Sequence, residues 1–168
     1  MRLLTVVRHA KADDPLHYEN DIDRPLTEKG FKDSRTVARL LGQLDPAVDW
    51  WISSPALRAR ETVTTLAAEL GFSGEVRYEE LAYPGNADNW LAIVAAAPLN
   101  AQHVAIVGHN PGLEEFVAGL CAANALHLNF RLPTASVAHL ELELARWDQI
   151  RWGCGLLRTL IQPRLLKK

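Results

Sequence analysis

The chain has 168 residues, 48% apolar and 23% charged, proportions ordinary for one globular domain spanning 1–168. Its formal net charge of −2 argues against a nucleic-acid surface, so any anion site must be a local concentration of positive charge. Two cysteines, Cys121 and Cys154, with no CxxC pair, read as free thiols of a reducing cytoplasm rather than a disulfide framework.

Leu3 to Val7 is apolar on both faces and predicts a buried parallel strand. Arg8, His9 and Lys11 end the run, which is too short for a signal-peptide core or a membrane span; the expected location is cytoplasmic, with no membrane partner. Asp13 to Arg24 reads as a polar loop. Thr27 is the expected N-cap of a helix running to about Gly42, with Phe31, Ser34, Val37, Ala38, Leu41 and Leu44 near one face. Asp49 to Ile52 predicts a short strand. Ser54 as N-cap and Pro55 at the first helical position start the next helix, which Gly71 ends. Glu75 to Tyr78 is a weak strand, and Asn86 to Ala97 a helix stopped by Pro98.

His103 to Val107 predicts another buried strand. Gly108-His109-Asn110-Pro111 is a second strand-to-helix turn, with Asn110 as cap and a helix to about Ala122. Ser136 to Leu144 alternates as a half-exposed strand does, and Trp147 to Trp152 is the expected partner through a turn near Ala145-Arg146. Leu156 to Lys168 fits either a short helix or an extended arm. The pattern predicts a single three-layer α/β domain: a mostly parallel central sheet, helices on both faces and an antiparallel C-terminal edge.

Ligands of open α/β sheets bind at the carboxyl ends of the strands. Three such ends carry unusual residues here: Arg8-His9, the Ser54 to Arg58 turn, and Gly108-His109-Asn110. Arg58 lies in the first turn of its helix, where the macrodipole disfavours a cation unless an anion sits beside it. Two arginines, two histidines and helix N-termini converging on one point describe a phosphate pocket, with Asn110 a further ligand candidate. His9 suits a nucleophile toward phosphorus, because a neutral imidazole carries a free lone pair and two arginines oppose its protonation. The chemistry calls for no metal and no cofactor, and the clustered carboxylates of a two-metal site are missing from the motifs.

The segments "VVRHAKA" (Val6 to Ala12), "DIDRPLTEKG" (Asp21 to Gly30), "SSPALRARET" (Ser53 to Thr62) and "VGHNPGLEEF" (Val107 to Phe116) together resemble the histidine phosphatase, or phosphoglycerate-mutase-like, superfamily. More narrowly, they are similar to its small SixA-type phosphohistidine phosphatases. The resemblance implies that His9 is phosphorylated during turnover and that Arg8, Arg58 and His109 complete the phosphate pocket. Ala10 stands where many members carry glycine. Larger members protonate the leaving oxygen with a carboxylate; Glu80 in "YEELAYPG" is the candidate by position and Glu79 its competitor. The implied substrate is a phosphohistidine-bearing signalling protein, with a small phosphorylated compound as the alternative. A non-catalytic phospho-binding module would be expected to lack one of the four pocket residues. A mutase would need an insertion after Tyr83 to build a lid, and the segment there is short.

Other polar residues read more simply. Arg60 and the Asp13, Asp14, Asp21, Asp23 group read as solvated surface, the spacing of the four carboxylates fitting no calcium loop. For Arg58 the plain alternative is a surface ion pair with Glu61 or Glu28. His17, His103, His127 and His139 carry no assigned role, and Trp50, Trp51, Trp147 and Trp152 read as packing.

Overall fold

The computed structural model describes residues 1–123 and 128–166; His127 lies outside them. Strand β1 (Arg2–Arg8) is followed by helix α1 (Glu28–Leu41), β2 (Trp50–Ser53), α2 (Leu57–Glu69), β3 (Val76–Tyr78), α3 (Ala87–Ala95), β4 (His103–Gly108), α4 (Gly112–Ala122), β5 (Val137–Leu142) and β6 (Gly155–Ile161). The six strands form one sheet in the order β3-β2-β4-β1-β5-β6. The first four of these are parallel, and β5 and β6 add an antiparallel edge.

Strand alternation divides the core between the two faces. Leu4, Val6, Val104 and Ile106 face one way, against Trp90, Ile93, Phe116 and Leu120 of α3 and α4. Val7, Ala105 and Val107 face the other, against Val37, Leu41, Val63 and Leu66 of α1 and α2. Burial on both sides explains why the parallel strands read as continuous apolar runs. The predicted Thr27 cap forms, accepting from Gly30 N–H at 3.1 Å, and Asn86 caps α3 by accepting from Asn89 N–H at 2.8 Å.

The antiparallel edge forms as expected, but its last strand is a different segment. Trp147–Gln149 is a 3-10 turn, and the partner of β5 is Gly155–Ile161, from the segment whose conformation the sequence leaves open. Trp147 and Ile150 are both buried, three residues apart, which is the spacing of a helical turn rather than a strand. The Trp147 indole N–H donates to Ala101 O at 2.8 Å, anchoring the turn in the core. Gly153, at φ 78°, then reverses the chain into β6.

The helix starts beside the site also shift. Helix α2 begins at Leu57 with Ala56 in the cap position, and α4 begins at Gly112 after Pro111, neither with a side-chain cap. Ser54 and Asn110 direct their polar atoms to other partners, described below. Among the described residues no helix is long and apolar enough to cross a membrane.

The start of α4 is packed against the turn after Tyr83. A Cβ on Gly112 would stand 1.9 Å from Gly85 O, a backbone atom with little room to retreat. Gly112→Ala is expected to destabilise the fold by about 1–3 kcal/mol through overpacking. A chemical-denaturation midpoint equal to wild type would show that the two segments separate freely.

Candidate active site

The sheet register brings three strand ends level. Arg8 pairs with Gly108 across β1 and β4, while Val107 pairs with both Val7 and Ser53. The next residues continue the pattern: His9 N–H donates to Gly108 O at 3.0 Å and Ser54 N–H to Val107 O at 2.9 Å. His9, Ser54 and His109 therefore leave the same sheet edge side by side. Arg58, the second residue of α2, reaches them from the adjoining helix start, and is 4% exposed.

The His9 ring has one defined orientation. Its Nδ1 lies 2.8 Å from Ala10 O. A carbonyl only accepts, so Nδ1 carries the proton and Nε2 keeps the lone pair. The adjacent Ala10 N–H donates to Thr62 Oγ1 at 3.0 Å, and that hydroxyl donates to Arg58 O at 2.6 Å, tying the loop after β1 to α2. The His9 and His109 rings are 5.0 Å apart.

His109 is oriented by the same logic. Its Nδ1 faces Arg58 Nη2 at 3.4 Å, and a guanidinium only donates, so Nδ1 accepts and Nε2–H donates to Ser54 Oγ at 2.7 Å. Ser54 Oγ also accepts from Ala56 N–H at 3.3 Å, one residue ahead of α2. Arg58 also donates from Nη1 to Asp21 O at 2.6 Å and from Nη2 to Asp21 Oδ2 at 2.8 Å. The Tyr83 hydroxyl donates to the same Oδ2 at 2.8 Å, and Arg24 Nε lies 3.0 Å from Oδ1. The ion-pair partner of Arg58 is thus Asp21, neither Glu61 nor Glu28, and Asp21, although half-exposed, is joined to the site.

Arg8 is held from the other side. Its Nη1 donates to Leu132 O at 2.8 Å. Asn110 Nδ2 donates to that carbonyl and to Glu114 Oε1, each at 2.9 Å, and Leu132 N–H donates to Glu114 Oε1 at 2.7 Å. Asn110 therefore braces the Leu132 peptide that orients Arg8. The Nε atoms of Arg8 and Arg58 are buried and donate to no partner among the described residues.

His9 lies on the floor of a cleft of about 520 Å³, whose walls include Arg8, Lys11, Asp13, Arg24 and Thr134. A second cleft of about 480 Å³ opens beside Tyr83 and Asn110. Glu80 is exposed on its wall, at the start of a 3-10 turn, while Glu79 pairs with Arg77. Arg60 is exposed and stacks on Tyr78, as surface residues do. His103 is buried away from this pocket, between Thr5 and Pro46 O. Among the described residues no group of three or more His, Cys, Asp or Glu is arranged to hold a metal ion.

Sequence reasoning passed over Asp21, Tyr83, Glu114 and the second role of Ser54. Asp21, Ser54 and Glu114 lie inside recognisable motifs, but nothing local distinguishes them from surface, cap and helix residues.

Burial is the main cause of the low histidine pKa values. His9 is pushed down to about 4, with the Arg58, Arg8 and Arg24 charges adding to burial and the Ala10 carbonyl opposing it. His109 is pushed down to about 3 by burial, then by His9 and Arg58, with Asp21 opposing. For Asp21, burial acts upward but is outweighed by the Tyr83 hydrogen bond and the Arg58 charge, so its carboxyl lies below the usual range. His103 is also lowered to about 4 by burial.

These histidines resist protonation when folded but accept a proton near pH 6.5 when unfolded. Stability should therefore be full above about pH 6.5 and fall as pH drops toward 4 and then 3, by on the order of 2 kcal/mol per histidine at pH 5. Denaturation midpoints measured between pH 7.5 and 4.5 check this; a flat profile would mean that the three rings titrate normally.

Comparison with known proteins gives a consistent picture. The family model described as histidine phosphatase superfamily (branch 1) matches residues 4–82. An uncharacterised protein of Picosynechococcus sp. is 38% identical over 143 residues, covering 83% of this chain and 84% of its own. The structure of a candidate phosphohistidine phosphatase SixA from Nakamurella multipartitia superposes with a TM-score of 0.81 at 30% identity, covering 96% of each chain. The protein histidine phosphatase SixA in complex with tungstate superposes with a TM-score of 0.83 at 24% identity, covering 98% of this chain and 99% of its own.

Proposed function

The chain belongs to the histidine phosphatase superfamily and is a phosphatase; from that premise we propose that it works through a phosphohistidine formed on His9 and acts on phosphohistidine carried by a signalling protein. The observation that carries the reading is the His9 ring. Its Nδ1–H is tied to Ala10 O, which leaves the Nε2 lone pair free in a cleft that Arg8 also lines, close enough to the Arg58 charge to feel it.

In this reading the phosphoryl group binds between the two guanidinium groups, whose buried Nε donors supply hydrogen bonds to its oxygens. His9 Nε2 attacks phosphorus, a bond forms between them, and the bond to the leaving group breaks. Water then attacks the phosphoenzyme and releases inorganic phosphate. His109, beside Arg58 and with its ring 5.0 Å from that of His9, completes the polar wall of the pocket. Asn110 acts through the Leu132 peptide that it braces. Glu80, exposed on the neighbouring cleft, is the carboxylate proposed to protonate an ester leaving oxygen. The four pocket side chains neutralise the phosphoryl charge without a metal.

The substrate half of the proposal draws on the SixA-type relatives and on the short turn after Tyr83, which leaves the cleft open to a protein-borne side chain. The two unpaired cysteines accord with a cytoplasmic setting. The test is hydrolysis, with EDTA present, of a polypeptide chemically phosphorylated on histidine and of 4-nitrophenyl phosphate. Faster release from the polypeptide is expected. Preference for the ester would move the reading to a small-molecule phosphomonoesterase, and activity lost with EDTA would overturn metal independence. Tungstate should compete with either substrate.

A further inference from the structure

Asp21 places a negative charge where a phosphatase would be expected to avoid one. Its Oδ2 is 2.8 Å from Nη2 of Arg58, the residue whose guanidinium is proposed to hold the phosphoryl group. A carboxylate there repels a bound dianion and draws off part of the Arg58 charge. Its three charged or hydroxyl partners, Arg58, Arg24 and Tyr83, hold it in place from α2, from its own loop and from the turn before α3. It is not a surface accident, since two bonds from the buried Arg58 side chain converge on this one residue.

Depth within the site tells on which side of the phosphoryl group it stands. His9 is 7% exposed and Arg58 4%, whereas the Asp21 side chain is 48% exposed. The nucleophile is buried, so in-line displacement sends the leaving group outward toward solvent, the side to which the half-exposed Asp21 side chain opens. A carboxylate at that position favours a substrate whose departing ring carries positive charge before the bond to phosphorus breaks.

Resting on the phosphohistidine reading above, we infer that Asp21 is a specificity-determining residue that selects a phosphorylated imidazolium ring, protonated on its second nitrogen, over a phosphate ester. The substrate ring is phosphorylated on one nitrogen and protonated by solvent on the other, and Asp21 accepts a hydrogen bond from that second N–H. When His9 Nε2 bonds to phosphorus, the P–N bond of the substrate breaks and its electron pair stays on the departing nitrogen. The ring then leaves as neutral imidazole, still carrying the proton on its second nitrogen. No proton need be delivered to the departing atom, so this leaving group dispenses with the acid that an ester requires.

The experiment compares wild type, Asp21→Asn and Asp21→Glu on free phosphohistidine and on 4-nitrophenyl phosphate, with circular dichroism to verify folding. Asp21→Asn should lose at least 10-fold more kcat/KM on phosphohistidine than on the ester, and Asp21→Glu should recover part of the difference. The deficit should shrink at lower pH, where solvent protonates the substrate ring unaided, and tungstate should bind the Asn variant as tightly or more tightly. Equal losses on both substrates with weaker tungstate binding would overturn the inference and leave Asp21 as a buttress of Arg58. Wild-type preference for the ester with an unchanged ratio in the variant would overturn the substrate reading and this inference together. A wild-type preference for phosphohistidine with an unchanged ratio would overturn this inference alone.

Discussion

His9→Ala is expected to lower turnover by about 10⁴-fold or more on either substrate, the scale on which removing a nucleophile acts. The fold should persist. His9 sits one residue beyond β1, and the substitution removes one side-chain bond, to Ala10 O, while taking a desolvated imidazole out of a site rich in positive charge. Tungstate binding should survive, because Arg8, Arg58 and His109 remain. A further signature separates this variant from a misfolded one: it should lose one histidine's share of the acid sensitivity described above. Rapid quench of wild type should trap an acid-labile, base-stable phosphoenzyme that the variant lacks. Near-wild-type turnover in His9→Ala would remove the nucleophile assignment.

Arg58→Ala should act differently, weakening anion binding as well as rate. Truncating one partner of a buried charge pair costs about 2–5 kcal/mol, or roughly 30-fold to several thousand-fold in kcat/KM. Arg58→Lys should recover little, since an ammonium cannot reproduce the fork that spans Asp21 O, Asp21 Oδ2 and the pocket. The His109 pKa should rise in Arg58→Ala, because one of the charges that depress it is gone. Measured tungstate affinity and the His109 titration together check the assignment. An unchanged tungstate affinity would place Arg58 outside the phosphate pocket.

Helices and parallel strands were readable where the signal is local. The apolar runs of β1 and β4 are buried on both faces, and Thr27 and Asn86 cap their helices because a side chain need only reach an N–H three residues on. At the antiparallel edge, the alternation of Trp147 to Trp152 points to the wrong partner for β5, because burial outweighs it there. Trp147 enters the core in a single turn, and the strand that completes the sheet comes from residues with no clean alternation.

The sequence by itself determined the fold class and the residues that end three parallel strands. Sheet register then carries Arg8, His9 and His109 to a common edge, and the start of α2 brings Arg58 to it. Tertiary structure decided what each residue does there. Asp21 meets Arg58 across 37 positions and Tyr83 across 62, and Arg8 finds Leu132 O across 124. Those partners lie in loops, which carry no period, and their meeting depends on how the loops close over the sheet edge. The proton on His9 is likewise set by a single carbonyl whose direction follows from the backbone between β1 and Thr62, and no spacing of residue types encodes it.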